Sequence, residues 1–154
     1  MEGNKQIIEI LNLRLAEELT AINQYIVHAE MCANWGYTKL HEAIEKRAIH
    51  EMKHAEKIIE RILYLEGRPN VSKLNLINIG KDVEAQLQSD YESEKLAVKA
   101  YNDSIRTCVE AGDNGTRELF KSNLLDEEGD VDWLEAQMDQ IKQMGVQNYL
   151  AQQK

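Results

Sequence analysis

Residues 50–56 of the chain, HEMKHAE, lie in a run without Gly or Pro in which Ile and Leu recur every three or four residues. This period is typical of an amphipathic helix. Glu51 and His54 are three residues apart, so both side chains project from one face of that helix. Ile44 and Ile58 belong to the same face. A carboxylate and an imidazole therefore interrupt the stripe that we expect to face the protein core.

Further helical segments surround this one, because the 154 residues include only 8 Gly and 1 Pro and so offer few turns. Thr38 and Asp82 are the predicted N-caps of the second and third helices. The predicted helices run from about Lys5 to Trp35, from after Thr38 to Leu65–Gly67, over Val83–Ala111, and from after GDNG (112–115) to Gly145, with a short turn of helix in VQNYLAQQK (146–154).

The connections between these segments predict their arrangement. The first and second helices, and likewise the third and fourth, are joined by a few residues and should be antiparallel neighbours. The middle connection, GRPNVSKLNLINIG (67–80), is long enough when extended to return along a helix of about 42 Å. We therefore predict an all-α fold: a four-helix bundle with one long crossover and a short C-terminal helix, forming a single domain over residues 1–154.

Each predicted helix carries a glutamate on its inward stripe, and the stripes have heptad spacing. The same number of residues separates Glu18 from Glu51 as separates Glu94 from Glu127, so two matched hairpins would bring all four to a similar height. The stripes are Leu11, Leu15, Glu18, Ile22 and Tyr25; Leu40, Ile44, Arg47, Glu51, His54 and Ile58; Leu87, Asp90, Glu94, Ala97 and Tyr101; and Phe120, Leu124, Glu127, Val131, Leu134, Met138 and Ile141.

Four carboxylates at one height of a core need a common explanation. An unpaired carboxylate is costly to bury, and neighbouring carboxylates repel one another. Arg47 is a single positive charge and cannot neutralise four negative ones. Bound cations can, and carboxylates with an imidazole are typical ligands of a two-metal site, for which iron is the leading candidate. A polar layer without metal is the alternative. Tyr25 is either a satisfied core tyrosine or a hydrogen-bond donor to a ligand carboxylate.

The combination of Glu18, Glu51-x-x-His54, Glu94 and Glu127 resembles the ferritin-like di-iron carboxylate bundles. More specifically, the chain resembles the bacterioferritin family. The resemblance implies that Glu18 and His54 hold one iron and Glu94 the other, with Glu51 and Glu127 bridging. It covers nearly the whole chain and rests on ELTAINQY (18–25), EMKHAEKIIERILYLEG (51–67), NIG (78–80), DEEG (126–129), DWLE (132–135) and QMGVQNYL (143–150).

Asp130 departs from the family pattern, which usually has an imidazole three residues after the second bridging glutamate. Aspartate is shorter than histidine and adds negative charge, although the four glutamates already balance two ferrous ions. Three outcomes are open: Asp130 ligates the second metal and makes its site all-oxygen, binds it through a water, or leaves it weakly held so that iron is oxidised poorly. We expect a functional but altered site.

Met52 points about 100° around the helix from Glu51 and about 200° from His54, so it cannot face the metals. Its spacing alone favours an interface or solvent-exposed methionine. The resemblance implies more, because the matching methionine of the family is an axial ligand of haem b, one from each of two subunits across a twofold axis. The candidates to line that pocket are Leu19, Ile22, Asn23 and Ile49.

The function that the resemblance implies is iron storage and detoxification by a ferroxidase. Ferrous iron would be oxidised by dioxygen or peroxide at a centre of two irons per subunit, and ferric mineral would collect inside a shell of twenty-four subunits. Haem would pass electrons inward for iron release, commonly from a small ferredoxin. Two rivals stay open: a di-iron peroxidase or oxygenase on the same bundle, and a haem-binding structural subunit with an impaired oxidation site.

Other polar residues near these motifs have ordinary expected roles. His28 and His41 have no partner at a metal-ligand spacing and should be surface or satisfied histidines. The acidic run DEEGDVD (126–132) should be partly a solvated face, and of its residues only Glu127 and, in two of the outcomes above, Asp130 belong to the site.

Composition and charge limit the function classes further. The net charge of −9 argues against nucleic acid, whose binders usually carry a basic patch, and suits a surface that attracts cations. No apolar run approaches the ~20 residues of a membrane span. The start, MEGNKQIIEI, lacks a signal segment. Cys32 and Cys108 form no CxxC motif, so we expect two reduced core thiols and a cytoplasmic location.

Overall fold

The computed structural model describes residues 1–154 and contains five helices and no strands. The predicted all-α, ferritin-like four-helix bundle with one long crossover and a short C-terminal helix is confirmed. None of the helices combines the length and the apolar character that crossing a bilayer requires. The helices are α1 (Lys5–Asn34), α2 (Thr38–Tyr64), α3 (Val83–Ala111), α4 (Asn114–Met144) and α5 (Val146–Ala151).

Side chains cap three of the four long helices. Asn4, Asp82 and Asp113 each accept a hydrogen bond from a backbone N–H in the first turn that follows. The prediction for Asp82 is confirmed, whereas the prediction for Thr38 is wrong. Thr38 is already helical, because the chain turns one residue earlier at Tyr37, whose side chain makes no capping bond.

The break between α3 and α4 is shorter than the predicted GDNG, residues 112–115. Gly112 ends α3 in the left-handed conformation, with a φ of 71°, which glycine adopts without steric cost. The Asp113 side chain then accepts hydrogen bonds from both the backbone N–H and the hydroxyl of Thr116, so α4 begins at once. Gly115 therefore lies inside α4.

Two apolar clusters fill the bundle, one toward each end. The glutamate of each inward stripe lies between them: Glu18, for example, follows Leu15 of the first cluster and precedes Tyr25 of the second. The first cluster contains Ile7, Leu11, Leu15, Ala55, Ile58, Ile62, Leu65, Tyr101, Cys108 and Phe120. The second contains Tyr25, Ala29, Cys32, Leu40, Ile44, Ala48, Val83, Leu87, Leu134 and Tyr149.

The crossover, residues 65–82, runs along α1 and is held by polar side chains of that helix. These side chains accept hydrogen bonds from backbone N–H groups of the crossover and so fix its path; the N–H of Gly80 is buried and needs such a partner. The order of the pairs shows that the crossover is parallel to α1 and returns the chain so that α3 runs parallel to α2. The N–H groups of Asn70, Asn75, Asn78 and Gly80 donate in turn to Asn12, Thr20, Gln24 and His28.

His28 links the crossover to α3. It is fully buried, its Nε2 accepts a hydrogen bond from the Gly80 N–H at 3.0 Å, and its Nδ1 lies 2.9 Å from Asp90 Oδ1. Because Nε2 accepts the hydrogen bond from Gly80, the ring proton lies on Nδ1. The Nδ1–H group donates a hydrogen bond to Asp90 Oδ1. The expectation that His28 is a satisfied histidine therefore agrees with its contacts.

Replacing His28 by alanine should lower the free energy of unfolding by about 2–4 kcal/mol, because the Gly80 N–H and the Asp90 carboxylate both lose a buried partner. Chemical denaturation measures this change. His50→Ala, at an exposed position of α2, is the matched control and should change stability by less than about 0.5 kcal/mol. Equal losses in the two variants would contradict the role given to His28.

Candidate metal centre

Four carboxylates from four helices meet in the layer between the two apolar clusters. Glu18, Glu51, Glu94 and Glu127 are each at most 2% exposed. The heptad pattern explains the convergence, because turning the apolar residues of each stripe inward turns its glutamate inward as well. The structure thus brings together the four residues that the sequence selected.

The ligand atoms of this layer form two groups, and within each group they lie within 4.8 Å of one another. Glu51 and Glu127 belong to both groups. Two cations placed in the two groups would share these carboxylates, as in a bridged pair of metals. The first group is Glu18, Glu51, His54 and Glu127, and the second is Glu51, Glu94, Glu127 and Asp130.

His54 is oriented by a contact on its outer side. Its Nε2 lies 2.8 Å from Asp126 Oδ2. Its Nδ1 points into the layer, 3.4 Å from Glu18 Oε2 and 3.3 Å from Glu127 Oε1. A carboxylate on one ring nitrogen fixes the orientation of the ring and increases the basicity of the other nitrogen. Nδ1 is therefore the atom that His54 offers to a cation.

Tyrosines hold the two outer glutamates of the layer. The buried hydroxyl of Tyr101 donates to Glu18, and that of Tyr25 donates to Glu94. The Asn123 side chain donates in turn to the Tyr101 hydroxyl at 3.2 Å. Of the two roles considered for Tyr25, donation to a carboxylate of the layer is the one observed. Each tyrosine occupies one oxygen of its glutamate and leaves the other available.

Several buried polar atoms of the layer lack hydrogen-bond partners. They are one oxygen each of Glu18, Glu51 and Glu94, both oxygens of Glu127, and Nδ1 of His54. Buried polar atoms are normally satisfied, so such a cluster requires an explanation. When deprotonated, these atoms offer lone pairs, and the residues that carry them belong to the two groups. Their chemistry fits divalent cations, which oxygen and imidazole ligands bind well.

The charges in the layer shift the pKa of its members. Burial raises the pKa of Glu51 well above its usual value, and the neighbouring Glu18 raises it further. Burial likewise raises the pKa of Glu127, with Glu51 adding to the effect. Burial opposes a charge on His54, but the carboxylates of Glu18 and Asp126 outweigh it and raise its pKa to about 9. Without cations, protons supply the positive charge that the layer needs.

Divalent ions should therefore stabilise the protein more at higher pH. The raised pKa values of Glu51 and Glu127 stabilise the metal-free fold below their usual value of 4.5, and this contribution is lost as the pH rises through the folded-state values. Bound ions then supply the positive charge that is lost when these carboxyl groups release their protons. Thermal unfolding with Co²⁺ or with a chelator should show a larger gain in Tm at about pH 7.5 than at about pH 5.5. Equal gains at both pH values would contradict this coupling.

Comparison with known proteins identifies the family. The family model described as Ferritin-like domain matches residues 8–144. The chain is 42% identical over 149 residues to the bacterioferritin of Rhodobacter capsulatus, covering 97% of this chain and 92% of that protein. It is 39% identical over 152 residues to the bacterioferritin of Mycolicibacterium paratuberculosis, covering 99% of this chain and 96% of that protein. The chain belongs to the bacterioferritin family. The predicted resemblance is confirmed.

Asp130 occupies the position for which the resemblance implied an imidazole. Its side chain is 14% exposed, and its Oδ1 lies 3.6 Å from Nε of the buried Arg47. Burial raises the pKa of Asp130 and Arg47 opposes the rise, which leaves it at about 7. An oxygen of Asp130 lies within 4.8 Å of the ligand atoms of Glu51, Glu94 and Glu127. Of the three outcomes considered for Asp130, direct ligation in an all-oxygen site is the one that we propose below.

Met52, for which the resemblance implied haem ligation, lies outside both groups. Its side chain is 43% exposed on α2, as the helical spacing predicted. Ile49 of the same face is 44% exposed and Ile26 of α1 is 49% exposed. The methionine thioether is therefore exposed on the outer side of α2, on the same face as Ile49, and lies outside the carboxylate layer.

Two residues that were not assigned to the centre make contacts that the sequence did not predict. Asp126, assigned to the solvated face, contacts His54. Its side chain is 56% exposed and lies off the heptad stripe, so no sequence signal marked it. His41, expected to lack a partner at a metal spacing, lies near Glu30 and Glu45 on the surface. The contacts of Asp90 and Tyr101 with the centre could have been anticipated from the sequence, because both residues lie on the inward stripe of α3.

Proposed function

We propose that this chain stores and detoxifies iron by oxidising Fe²⁺ in the carboxylate layer and depositing ferric mineral inside a shell of its own copies. The observation that carries the proposal is the pair of buried ligand groups that share Glu51 and Glu127. Family membership supports the same function. We propose as ligands Glu18, Glu51, His54, Glu94, Glu127 and Asp130.

The residues of the layer have distinct roles in this proposal. Glu51 and Glu127 hold two Fe²⁺ substrates close enough to give up electrons together. Tyr25 and Tyr101 fix the outer glutamates, so that little reorganisation follows binding. Each Fe²⁺ loses one electron, and dioxygen gains two electrons and two protons to become hydrogen peroxide. Peroxide as the oxidant would instead be reduced to water.

The cavity beside the centre favours iron oxidation over oxygenation of an organic substrate. Its volume is about 100 Å³, and Asn75 and Leu76 of the crossover form part of its wall together with Glu18, Glu94 and Glu127. Pockets for organic ligands usually measure about 300–1,000 Å³. Water, dioxygen, hydrogen peroxide and single ions fit this cavity, whereas the organic substrate of an oxygenase would need more room.

Stopped-flow mixing of the anaerobic, Fe²⁺-loaded assembly with dioxygen tests the proposal. We expect rapid formation of Fe³⁺ at two Fe²⁺ per chain, followed on further additions by mineral that co-elutes with the assembly in size-exclusion chromatography. Oxidation no faster than in buffer would instead indicate a structural subunit that depends on a sister chain. A monomer or dimer without mineral would indicate the peroxidase or oxygenase alternative.

The Asp130→His variant tests whether the second ion position is altered. Histidine restores the imidazole of the family pattern and removes one negative charge. We expect a changed affinity for the second Fe²⁺ and a changed oxidation rate, by about tenfold, because replacing a carboxylate by an imidazole changes both ligand type and charge. Ferrous titration and stopped-flow oxidation measure the two quantities. Identical stoichiometry and rate in both proteins would refute an altered second position.

Haem b is the second cofactor that we propose, bound at Met52. The exposed thioether among apolar neighbours fits haem, whose iron accepts a thioether as axial ligand. A second copy of Met52 across a twofold axis would supply the other ligand. When bound, haem supplies an electron path to the mineral for iron release, and a small ferredoxin is the proposed donor. The assembly is proposed as a cytoplasmic shell of twenty-four subunits.

A further inference from the structure

A buried guanidinium lies at the edge of the carboxylate layer. The residue is Arg47, which is 5% exposed although it carries a permanent charge. Its Nη2 lies 3.2 Å from Glu94 Oε1, and its Nε lies 3.6 Å from Asp130 Oδ1. Glu94 and Asp130 are the two members of the second group that the first group lacks. Arg47 therefore touches only the second ion position.

Arg47 is anchored from outside the ion-binding layer. Its Nη1 lies 3.6 Å from Asp90 Oδ2, and Asp90 belongs to neither ligand group. Asp90 in turn accepts a hydrogen bond from Gln24 Nε2 at 2.8 Å and lies 2.9 Å from His28 Nδ1. The guanidinium carbon also lies 4.4 Å from the centre of the Tyr25 ring, a cation–π distance. The cation is thus held in place whether or not ions are bound.

The ligand set carries one more negative charge than two divalent ions neutralise. The four glutamates and Asp130 supply five negative charges, and the two ions supply four positive charges. Arg47 is the cation that contacts this set, although it also contacts Asp90. At 3.6 Å the contact between Arg47 and Asp130 is an ion pair and not a hydrogen bond. The oxygens of Asp130 therefore keep lone pairs free for an ion.

We propose that Arg47 is a positioning residue that acts as a fixed counter-ion of the second ion position. It holds Glu94 and Asp130 while that position is empty, and it limits the affinity for the second ion so that iron can move on toward the mineral. This inference rests on the proposed function. Arg47 has opposite effects in the two states. It stabilises the centre when the second position is empty, and it lowers the affinity for the ion that fills this position.

Calorimetric titration of the metal-free assembly with Co²⁺ tests the proposal, with visible absorbance reporting each bound ion. In Arg47→Gln we expect the second Co²⁺ to bind about tenfold more tightly or better, because a charge next to a divalent ion has been removed. The first Co²⁺ should change less, and the metal-free Tm should fall. Arg47→Lys, which keeps the charge, is the control and should stay near wild type. A purely structural role would weaken both ions.

The double variant Arg47→Gln, Asp130→Asn keeps the test valid if the single variant does not fold, because it removes two opposite buried charges together. It should bind the second Co²⁺ about tenfold more tightly than Asp130→Asn alone. Equal affinities in these two variants, or an unchanged or weaker second ion in Arg47→Gln, would overturn the role of Arg47 and leave the proposed function intact. Fewer than two Co²⁺ per wild-type chain would overturn both.

Discussion

Replacing Glu127 by glutamine should abolish ferrous oxidation while making the metal-free protein more stable. Glu127 is 1% exposed, neither of its oxygens has a hydrogen-bond partner, and it belongs to both ligand groups. Neutralising it removes a ligand from both ion positions. Since losing a residue that merely supports a ligand commonly costs 10–100-fold, the oxidation rate should fall by about 100-fold or more. The measurement is stopped-flow oxidation of Fe²⁺ by dioxygen.

The expected gain in stability follows from the raised pKa of Glu127. Burial and the neighbouring Glu51 raise the pKa of Glu127 well above its usual value, so its charged form destabilises the empty centre. Glu127→Gln should therefore raise the Tm of the metal-free protein near neutral pH. Glu128→Gln, at the exposed next position of α4, should change neither rate nor Tm. A variant of Glu127 that lost both activity and stability would indicate a structural role instead.

Replacing Met52 by leucine should remove haem and spare iron oxidation. Leucine has a similar volume and remains apolar, so the exposed face of α2 keeps its character while losing the thioether that would bind haem iron. We expect the haem content of the purified assembly, measured by absorbance, to fall from about one per two chains to less than a tenth of that value. The initial rate of Fe²⁺ oxidation should be unchanged, because Met52 lies outside both ligand groups.

Met138→Leu is the matched control for the haem prediction. Met138 is a partly buried methionine that packs against the second apolar cluster, so its replacement should leave haem content unchanged. Equal haem loading in wild type and Met52→Leu would assign the axial ligand to another residue. Loss of oxidation together with haem would mean that the two sites depend on each other.

The heptad stripes explain why so much of the centre could be predicted from sequence. A single charge among apolar residues is conspicuous, and Glu18 and Glu127 were each identified in this way. The structure places both in the buried layer. The lengths of the connections similarly predicted two hairpins and a crossover. These predictions succeed because periodicity and chain length alone determine which face of a helix is inward and which helices can be neighbours.

Contacts made by flexible or off-stripe side chains could not be predicted. Asp126 reaches His54 from a position that faces largely toward solvent. Arg47 was recognised on the α2 stripe, but its partners depend on the rotamers of a long side chain and on Asp90, which Gln24 holds. Heptad spacing says which residues face inward and does not say which of them touch. The contact between Asp126 and His54 was missed for this reason.

Anomalous diffraction at the iron edge, from crystals of the assembly soaked anaerobically with Fe²⁺, locates the ions that the carboxylate layer binds. We predict two peaks in each chain, one within each ligand group, and both in contact with Glu51 and Glu127. A single peak, or peaks only on the outer surface with the carboxylate layer empty, would contradict this prediction.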